Sequence, residues 1–317
     1  MNRSESKNNG ILDIVIIGGS AAASAVAIYA ARREVKCKII TQSWGGEVAQ
    51  SGTIGNYPGF DKINGFELAQ KFKKQVEFNK VPIDEGVKVT KIVKKSEGNF
   101  IIEAEKNSQK IEYASKAVII ATGVNPRELN INGESNLRGK GISYCTTCDG
   151  PLFRNKEVAV IGGGNSALES ALMLKEFCPK VYLLTINNEL MGETIYITKL
   201  QQSKNVEIIY SADTKKFIGS DKLEAIEYID KKSNATKKIG VQGAFIHIGL
   251  APNSNIVPKE VEKNKLGEIV VNNLGETNIP GIFAAGDVTD IPFKQIAIAC
   301  GQGVATALRA IQYIDQL

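Results

Sequence analysis

The sequence predicts an α/β protein in which one fold is built twice, the second copy inserted in the first, and three observations support this. A strand, glycine turn, helix and strand occur in succession over residues 11–40 and again over residues 157–185. Each is followed by a helical stretch and a run of short alternating segments, and the two runs leave through matching exits, AVIIATGVNPR and AFIHIGLAPNS. A length of 317 residues exceeds what one hydrophobic core ordinarily organises and suits two domains.

The elements follow in order. ILDIVII at residues 11–17 is a continuous apolar run, as expected of a parallel strand buried on both faces. GGSAAASAVAIYAARR then supplies a tight turn and a helix, and Cys37 to Ile40 form the next strand, completing a βαβ unit. Glycines ahead of a helix N-terminus let the backbone approach a pyrophosphate, whose charge suits the unpaired N–H groups there. In the G-x-G-x-x-G/A register Gly18 holds the first place, Ser20 stands where the second glycine is expected, and Ala23 takes the third. VKVTKIVKK, NFIIEAEK and KIEYASKAVIIATG then read as a β-meander.

The second copy runs EVAVI, GGGNSALESALMLKEF and VYLLT, with Gly162, Gly164 and Ala167 giving an intact fingerprint. Its meander is read as VEIIYSA, KKFIGS, LEAIEYID and KIGVQGAFIHIG. Residues 281–317 add a short strand, the Gly286-Asp287 turn and a long helix with apolar spacing near 3.6, but no third fingerprint. That segment must complete a sheet, and the first domain is the expected host. The predicted organisation is therefore two Rossmann-like dinucleotide-binding domains of three-layer ββα form. Residues 1–125 and 251–317 make the first and residues 126–250 the insert, joined by short proline-bearing hinges near Asn125-Pro126 and Leu250-Ala251-Pro252.

Composition narrows the function. With 43% hydrophobic and 23% charged residues the chain reads as globular, and no apolar run nears the ~20 residues of a membrane helix. The polar opening MNRSESKNNG reads as a disordered tail and lacks the apolar segment of a secretory signal, which predicts a cytoplasmic protein. The net charge of +5 is spread over scattered lysines and matches no nucleic-acid module. Five cysteines in a reducing compartment should mostly be free, so the close pair in SYCTTCDG points to catalysis or metal instead of stapling.

IIGGSAAASAVAIYAAR, GGEVAQSGTIGNYPGF, VIIATGVNPR, CTTCDG, VAVIGGGNSALESA and IPGIFAAGDV stand in this order along nearly the whole chain. Together they resemble the low-molecular-weight thioredoxin reductases, which are FAD-dependent disulfide oxidoreductases. The resemblance implies FAD in the first domain, its pyrophosphate at the turn that holds Gly18, Ser20, Ala21 and Ala23. Thr41 and Gln42 would lie near the adenosine, Gly46 and Glu47 would follow, and Asn56 is the asparagine before Y-P-G. Val89 would offer its backbone to the adenine, Ala121, Thr122 and Gly123 would pass under the cofactor, Asp287 after Gly286 would bond the ribityl chain, and Gln295 and Ile296 would meet the flavin. In the resembled enzymes the counterpart of Cys148 faces the flavin, that of Cys145 attacks the disulfide of a thioredoxin-like partner, and that of Asp149 donates a proton. Those enzymes are homodimers whose second domain rotates.

A zinc site wants four ligands, and one C-x-x-C, the solitary His247 and the scattered Cys37, Cys178 and Cys300 do not make such a set, so no metal is expected. The three other cysteines read as buried fillers. A redox pair gives the acid after it a use, because a thiolate leaving on reduction must be protonated.

The sequence departs from the NADPH-using members after VYLL. They carry His-Arg-Arg-x-x-x-Arg there, and the corresponding positions hold Thr185, Ile186, Asn187 and Met191. At ~1.5–3 kcal/mol for each charge-assisted contact, losing two lowers affinity roughly a hundredfold to ten-thousandfold. NADH gains nothing, because the place of a ribose-reading acid is taken by Thr185, and Glu189 comes four residues later. The turn of Gly162, Gly164, Asn165 and Ala167 is then either a packing relic or a true nucleotide site. The expected activity is a flavin-dependent disulfide reductase acting on thioredoxin or a similar dithiol protein, with reduced ferredoxin, not NADPH, as donor. The alternatives are an FAD-dependent dithiol oxidase using oxygen, a NAD(P)H-using reductase with altered nucleotide recognition, and a flavin-binding redox sensor.

Overall fold

The computed structural model describes residues 10–51, 53–95 and 98–317. Strand β1 (Leu12–Ile17) runs into helix α1 (Ala21–Arg32), strand β2 (Cys37–Thr41), helix α2 (Gly46–Gln50), and the short strands β3 (Thr53–Ile54) and β4 (Ile63–Asn64). Helix α3 (Gly65–Phe78) leads to β5 (Ile83–Glu85), after which β6 (Lys88–Lys94), β7 (Phe100–Lys106) and β8 (Gln109–Ile120) form the meander. Strand β9 (Val124–Pro126) is followed by α4 (Glu134–Leu137), β10 (Ile142–Ser143), α5 (Thr146–Asp149), a 3-10 turn, β11 (Glu157–Ile161), α6 (Asn165–Leu174), β12 (Lys180–Leu184), α7 (Thr194–Gln201) and β13 (Val206–Ile209). Strands β14 (Ala212–Ile218), β15 (Ala225–Asp230), β16 (Ala235–Gly240), β17 (Gly243–Ile246) and β18 (Leu250–Pro252) come next, and β19 (Ile282–Ala284) and α8 (Ile296–Ile314) close the chain.

Two units emerge. The first comprises the described residues of Met1–Gln50, Tyr57–Asn125 and Ala251–Leu317; the second comprises those of Ser51–Asn56 and Pro126–Leu250. Asn56, expected with the first domain, thus falls in the second unit, where β3 packs beside α5.

In the first unit the sheet runs β5-β2-β1-β8-β7-β6 with β19 also paired to β8. Residues 12–17 of β1 lie parallel to both β2 and β8, Val15 opposite Lys38 on one side and Val118 on the other. Where they are central, at residues 14–17 of β1 and 118–120 of β8, these strands are apolar and buried at successive residues rather than alternating. Strand β8 is long enough to serve twice: its first half pairs antiparallel with β7, its second half parallel with β1. The closing strand β19 lies parallel to β8, Phe283 opposite Ile119, so the chain's last segment completes the first unit's sheet. One face of this sheet buries Val15, Ile17, Ile40, Val118, Ile120 and Ile282 in a common core.

The second unit separates what the first unites. Its parallel sheet runs β10-β17-β11-β12-β13, and its meander β14-β15-β16 is a sheet of its own. Alternation along β11 and β17 sends Val158, Val160 and Phe245 to the core under α6, and Ala159, Ile161, Ala244 and Ile246 to the core under the meander. Two expectations are corrected here. VEIIYSA is no meander strand: β13 pairs parallel with β12, Leu183 opposite Ile208. KIGVQGAFIHIG is not one strand either, because Val241 N–H ends the meander ladder on Glu224 O, and Gln242 turns to serve Glu157. Its N–H donates to Glu157 O at 2.8 Å and its Oε1 accepts Glu157 N–H at 2.8 Å, so this residue caps the start of β11 and divides β16 from β17.

Candidate functional site

In the second unit the pair Cys145 and Cys148 forms a disulfide with Cα atoms 5.3 Å apart. Cys145 caps the N-terminus of α5 with extended backbone, and its Sγ accepts the N–H of Cys148 at 3.2 Å. Such a donor stabilises a thiolate more than a thiol. The preceding residues supply the rest of the site. Ser143 accepts the N–H of Cys145 on its Oγ at 3.0 Å and donates its hydroxyl to Asp149 Oδ2 at 2.6 Å. The other carboxyl oxygen, Oδ1, is buried and has no partner. Burial therefore raises the Asp149 pKa above the ordinary carboxylate value, against the opposing Ser143 bond. A carboxyl so placed holds its proton to higher pH, which suits a group that must give one up beside sulfur.

Two networks hold this turn from outside. Tyr144 donates its hydroxyl to Glu134 Oε1 at 2.8 Å, and the buried Glu134 also accepts the N–H groups of Leu129 and Ile131. On the other side Thr146, between the cysteines, lies 2.8 Å from His247 Nε2, and Ser170 on α6 lies 2.8 Å from the same nitrogen. Desolvation pushes the imidazole of His247 down to about 4, so the ring is neutral at neutral pH. Reading the sequence missed Ser143, Thr146, Ser170 and His247. Ser143 stood two places before Cys145, but the partnership of His247 had no local signal, because 101 residues separate it from Thr146.

The glycine turn of the second unit is fully formed. Gly162 has φ 146°, and a Cβ there would meet His247 O at 2.2 Å, so the position requires glycine. The turn continues through Gly164 into α6, and Ala167 is buried beneath it. Asn165 Oδ1 accepts the N–H of Glu193, and Gly163 O accepts that of Met191. At the strand end Thr185 is buried and its Oγ1 accepts Asn187 N–H at 3.3 Å. Around this rim Ile186 and Met191 are 51% and 71% exposed, apolar groups where a phosphate-binding site wants cations.

In the first unit the parallel strands β1, β2, β8 and β19 bring Gly18, Gln42, Ala121 and Gly286 to one carboxyl edge, where α/β sheets bind ligands. Gly18 has φ 129°, and a Cβ there would strike Ala121 O at 2.1 Å. Ser20 does not cap α1; it donates instead to Gly45 O at 2.6 Å, so the turn closes without a second glycine and the N–H groups of Ala21 to Ala23 face the edge uncapped by a side chain. Thr41 Oγ1 bonds Ser43 O, bending the chain toward Gly46 and Glu47 at the start of α2. Val89 lies in β6 opposite Ala104, Thr122 and Gly123 are tied to Asn253, and Gln295 directly precedes α8, which begins at Ile296. Asp287 follows Gly286, whose φ is 79°, and burial raises its carboxyl to about 6 against the pull of Lys294. A cradle that excludes a Cβ, an uncapped helix start and a desolvated carboxyl fit the pyrophosphate and polyol chain of FAD.

Among the described residues no group of three or more His, Cys, Asp or Glu could hold a metal ion, and no helix is long and apolar enough to cross a membrane. Cys37 and Cys178 are buried with thiols pushed up to about 11, and Cys300 is half-buried beside Tyr57.

Comparison with known proteins agrees with this geometry. A family model described as pyridine nucleotide-disulphide oxidoreductase matches residues 12–311. The thioredoxin reductase of Streptococcus pyogenes MGAS5005 superposes with a TM-score of 0.90 at 32% identity, over 98% of this chain and 100% of that one. A ferredoxin-flavin thioredoxin reductase from Clostridium acetobutylicum gives 0.52 at 30% identity, over 96% and 99%. The NADH dehydrogenase of Bacillus subtilis (strain 168) is 35% identical over 95% of this chain, which spans 58% of that protein's length. FAD is the cofactor of this family.

Proposed function

The chain belongs to the pyridine nucleotide-disulphide oxidoreductase family, and from that premise we propose a flavin-dependent disulfide reductase that passes electrons through Cys145 and Cys148 to thioredoxin or a similar dithiol protein. Its donor is reduced ferredoxin and not NADPH. The observation that supports the donor is the rim of the second glycine turn, where Thr185, Ile186, Asn187 and Met191 present no cation to a 2′-phosphate.

FAD, when bound, supplies the electron pair that opens the Cys145–Cys148 disulfide. The protein's residues do the rest. The Cys145 thiolate, held by the Cys148 N–H, attacks one sulfur of the partner's disulfide; that bond breaks, its electron pair stays on the partner's other sulfur, and a proton is taken up there. Cys148 then attacks the Cys145 sulfur of the mixed disulfide, releasing the partner's second thiol and restoring the pair. The partner has gained two electrons and two protons. Asp149 moves the proton at sulfur, Oδ2 anchored on Ser143 and the unpartnered Oδ1 left to hold it. A homodimeric state, on the strength of the resemblance, and a cytoplasmic location complete the proposal.

Anaerobic titration tests the donor. Reduced ferredoxin, supplied beyond the four electrons that fill both the Cys145–Cys148 disulfide and the flavin, should bleach the flavin of the holoenzyme, and NADPH at micromolar concentration should not; rapid bleaching by NADPH rejects this half of the reading. One observation favours a second reading, a NAD(P)H-using reductase with altered recognition: the first residues of α6, beyond the turn at Gly162, are exposed. Bleaching by NADH but not by ferredoxin would select it.

A further inference from the structure

We infer that His247 is a positioning residue for the redox turn, acting through the hydroxyl of Thr146. The inference rests on the reading of Cys145 as the attacking sulfur. Nothing in that reading uses His247, yet its Nε2 is 2.8 Å from a hydroxyl between the two cysteines and 2.8 Å from a second hydroxyl on α6. Both hydroxyl-bearing residues are buried, Thr146 at 4% and Ser170 at 6% exposure, so neither can turn to water for its hydrogen bond. The backbone that carries the ring is fixed from the sheet. His247 N–H donates to Ile161 O at 2.8 Å, and its carbonyl lies where Gly162 admits no Cβ. The imidazole therefore ties the first residue of α5 to the end of the parallel sheet and to α6.

The consequence falls on sulfur. Thr146 is the first helical residue of α5; Asp149 N–H closes that turn on Cys145 O at 3.0 Å, and at its cap Cys148 N–H donates to Cys145 Sγ at 3.2 Å. When the disulfide is open, the same N–H stabilises the Cys145 thiolate, and the contact keeps its geometry only while the turn is held. The turn cannot hold itself, since an isolated helical turn of this length is unstable. A neutral imidazole nitrogen offers Nε2 either as one acceptor or as one donor, so the two hydroxyls share a single partner, and removing the ring leaves both without it.

The reduction potential of the Cys145–Cys148 pair in the FAD-loaded protein, set against a thiol–disulfide buffer, tests this without requiring turnover. His247→Ala should make the pair about tenfold harder to reduce, a shift of about 30 mV to more negative potential for a two-electron couple. Thr146→Val, approached from the other side of the bond, should give the same shift, and the double variant no more than either single one. Thr146→Ser, which keeps the hydroxyl, should restore the native value. An unmoved potential in His247→Ala or in Thr146→Val overturns the inference, as do shifts that simply add. Cys145→Ser separates this result from the underlying reading: turnover persisting in that variant would sink the role of Cys145, whereas an unmoved potential sinks only the role of His247.

Discussion

Gly18 and Gly162 hold the same place in the two units. Each follows a buried parallel strand, each takes positive φ, and each sits against a carbonyl, Ala121 or His247, so closely that a Cβ would approach to 2.1 or 2.2 Å. The next glycines match as well, since a Cβ on Gly19 or Gly163 would meet the hydroxyl of Thr41 or Thr185 at 2.6 Å. Past the turn the two diverge. Ala21 to Ala23 start a helix whose first turn is buried among small residues, whereas Gly164 to Ser166 stand exposed before a rim of Ile186 and Met191. The cradle is thus what strand-to-helix packing demands in either unit, and a formed cradle does not by itself report a ligand. What surrounds it decides.

The largest effect should come from parting chemistry from colour. Cys145→Ser ought to abolish turnover, at least a thousandfold below the native rate, as removal of a covalent nucleophile does, while the flavin absorbance per chain stays unchanged. Gly18→Ala should do the converse, expelling FAD because the backbone of Ala121 blocks the new Cβ. A yellow Gly18→Ala protein would break the contrast between the units.

Next comes the rim. Placing cations where the NADPH-using relatives have them, as Ile186→Arg with Asn187→Arg, should tighten NADPH binding about a hundredfold or more, at ~1.5–3 kcal/mol per contact. The concentration of NADPH that half-bleaches the flavin measures it, and an unchanged midpoint would show that more than the missing charges closes this turn.

The smallest effect concerns Asp287 in the FAD-free protein. Its pKa is raised from 3.8 to about 6, so the native state holds this proton more tightly than the unfolded chain. The stability it contributes is full below about pH 4 and is lost as pH rises through about 6, about 3 kcal/mol at ~1.4 kcal/mol per pKa unit. Asp287→Asn should remove that fall, read as a flatter difference between urea midpoints at pH 4.5 and pH 7. An equal fall in both proteins would place the desolvated charge elsewhere.

Much of this was legible in the chain. The run IVII reads as a central strand because nothing polar interrupts it, and the closing strand Ile282–Ala284 was expected in the first sheet, where it lies, because the insert already held a whole unit. The rim of Thr185, Ile186, Asn187 and Met191 was readable because charge, unlike contact, is a property of the residue alone. The failures were of another kind. VEIIYSA alternates like a meander strand and became a parallel one, since alternation reports how many faces are buried and not which neighbour covers them. The described residues of Ser51–Asn56 joined the second unit, and Gln242 broke a strand by capping Glu157 85 residues away.

The sequence by itself determined the two βαβ units, the close cysteine pair with an acid directly after it, and the absence of cations at Thr185, Ile186, Asn187 and Met191, because each is written in residue type and short spacing. Tertiary structure alone decided that Asp149 lends one oxygen to Ser143 and keeps the other buried, and that His247 meets Thr146. These depend on the sheet order β10-β17-β11, which sets the end of β17 next to the cysteine turn. Pairing between strands far apart in the chain is settled by which faces bury best together, a property of the whole fold that no local pattern of residues contains.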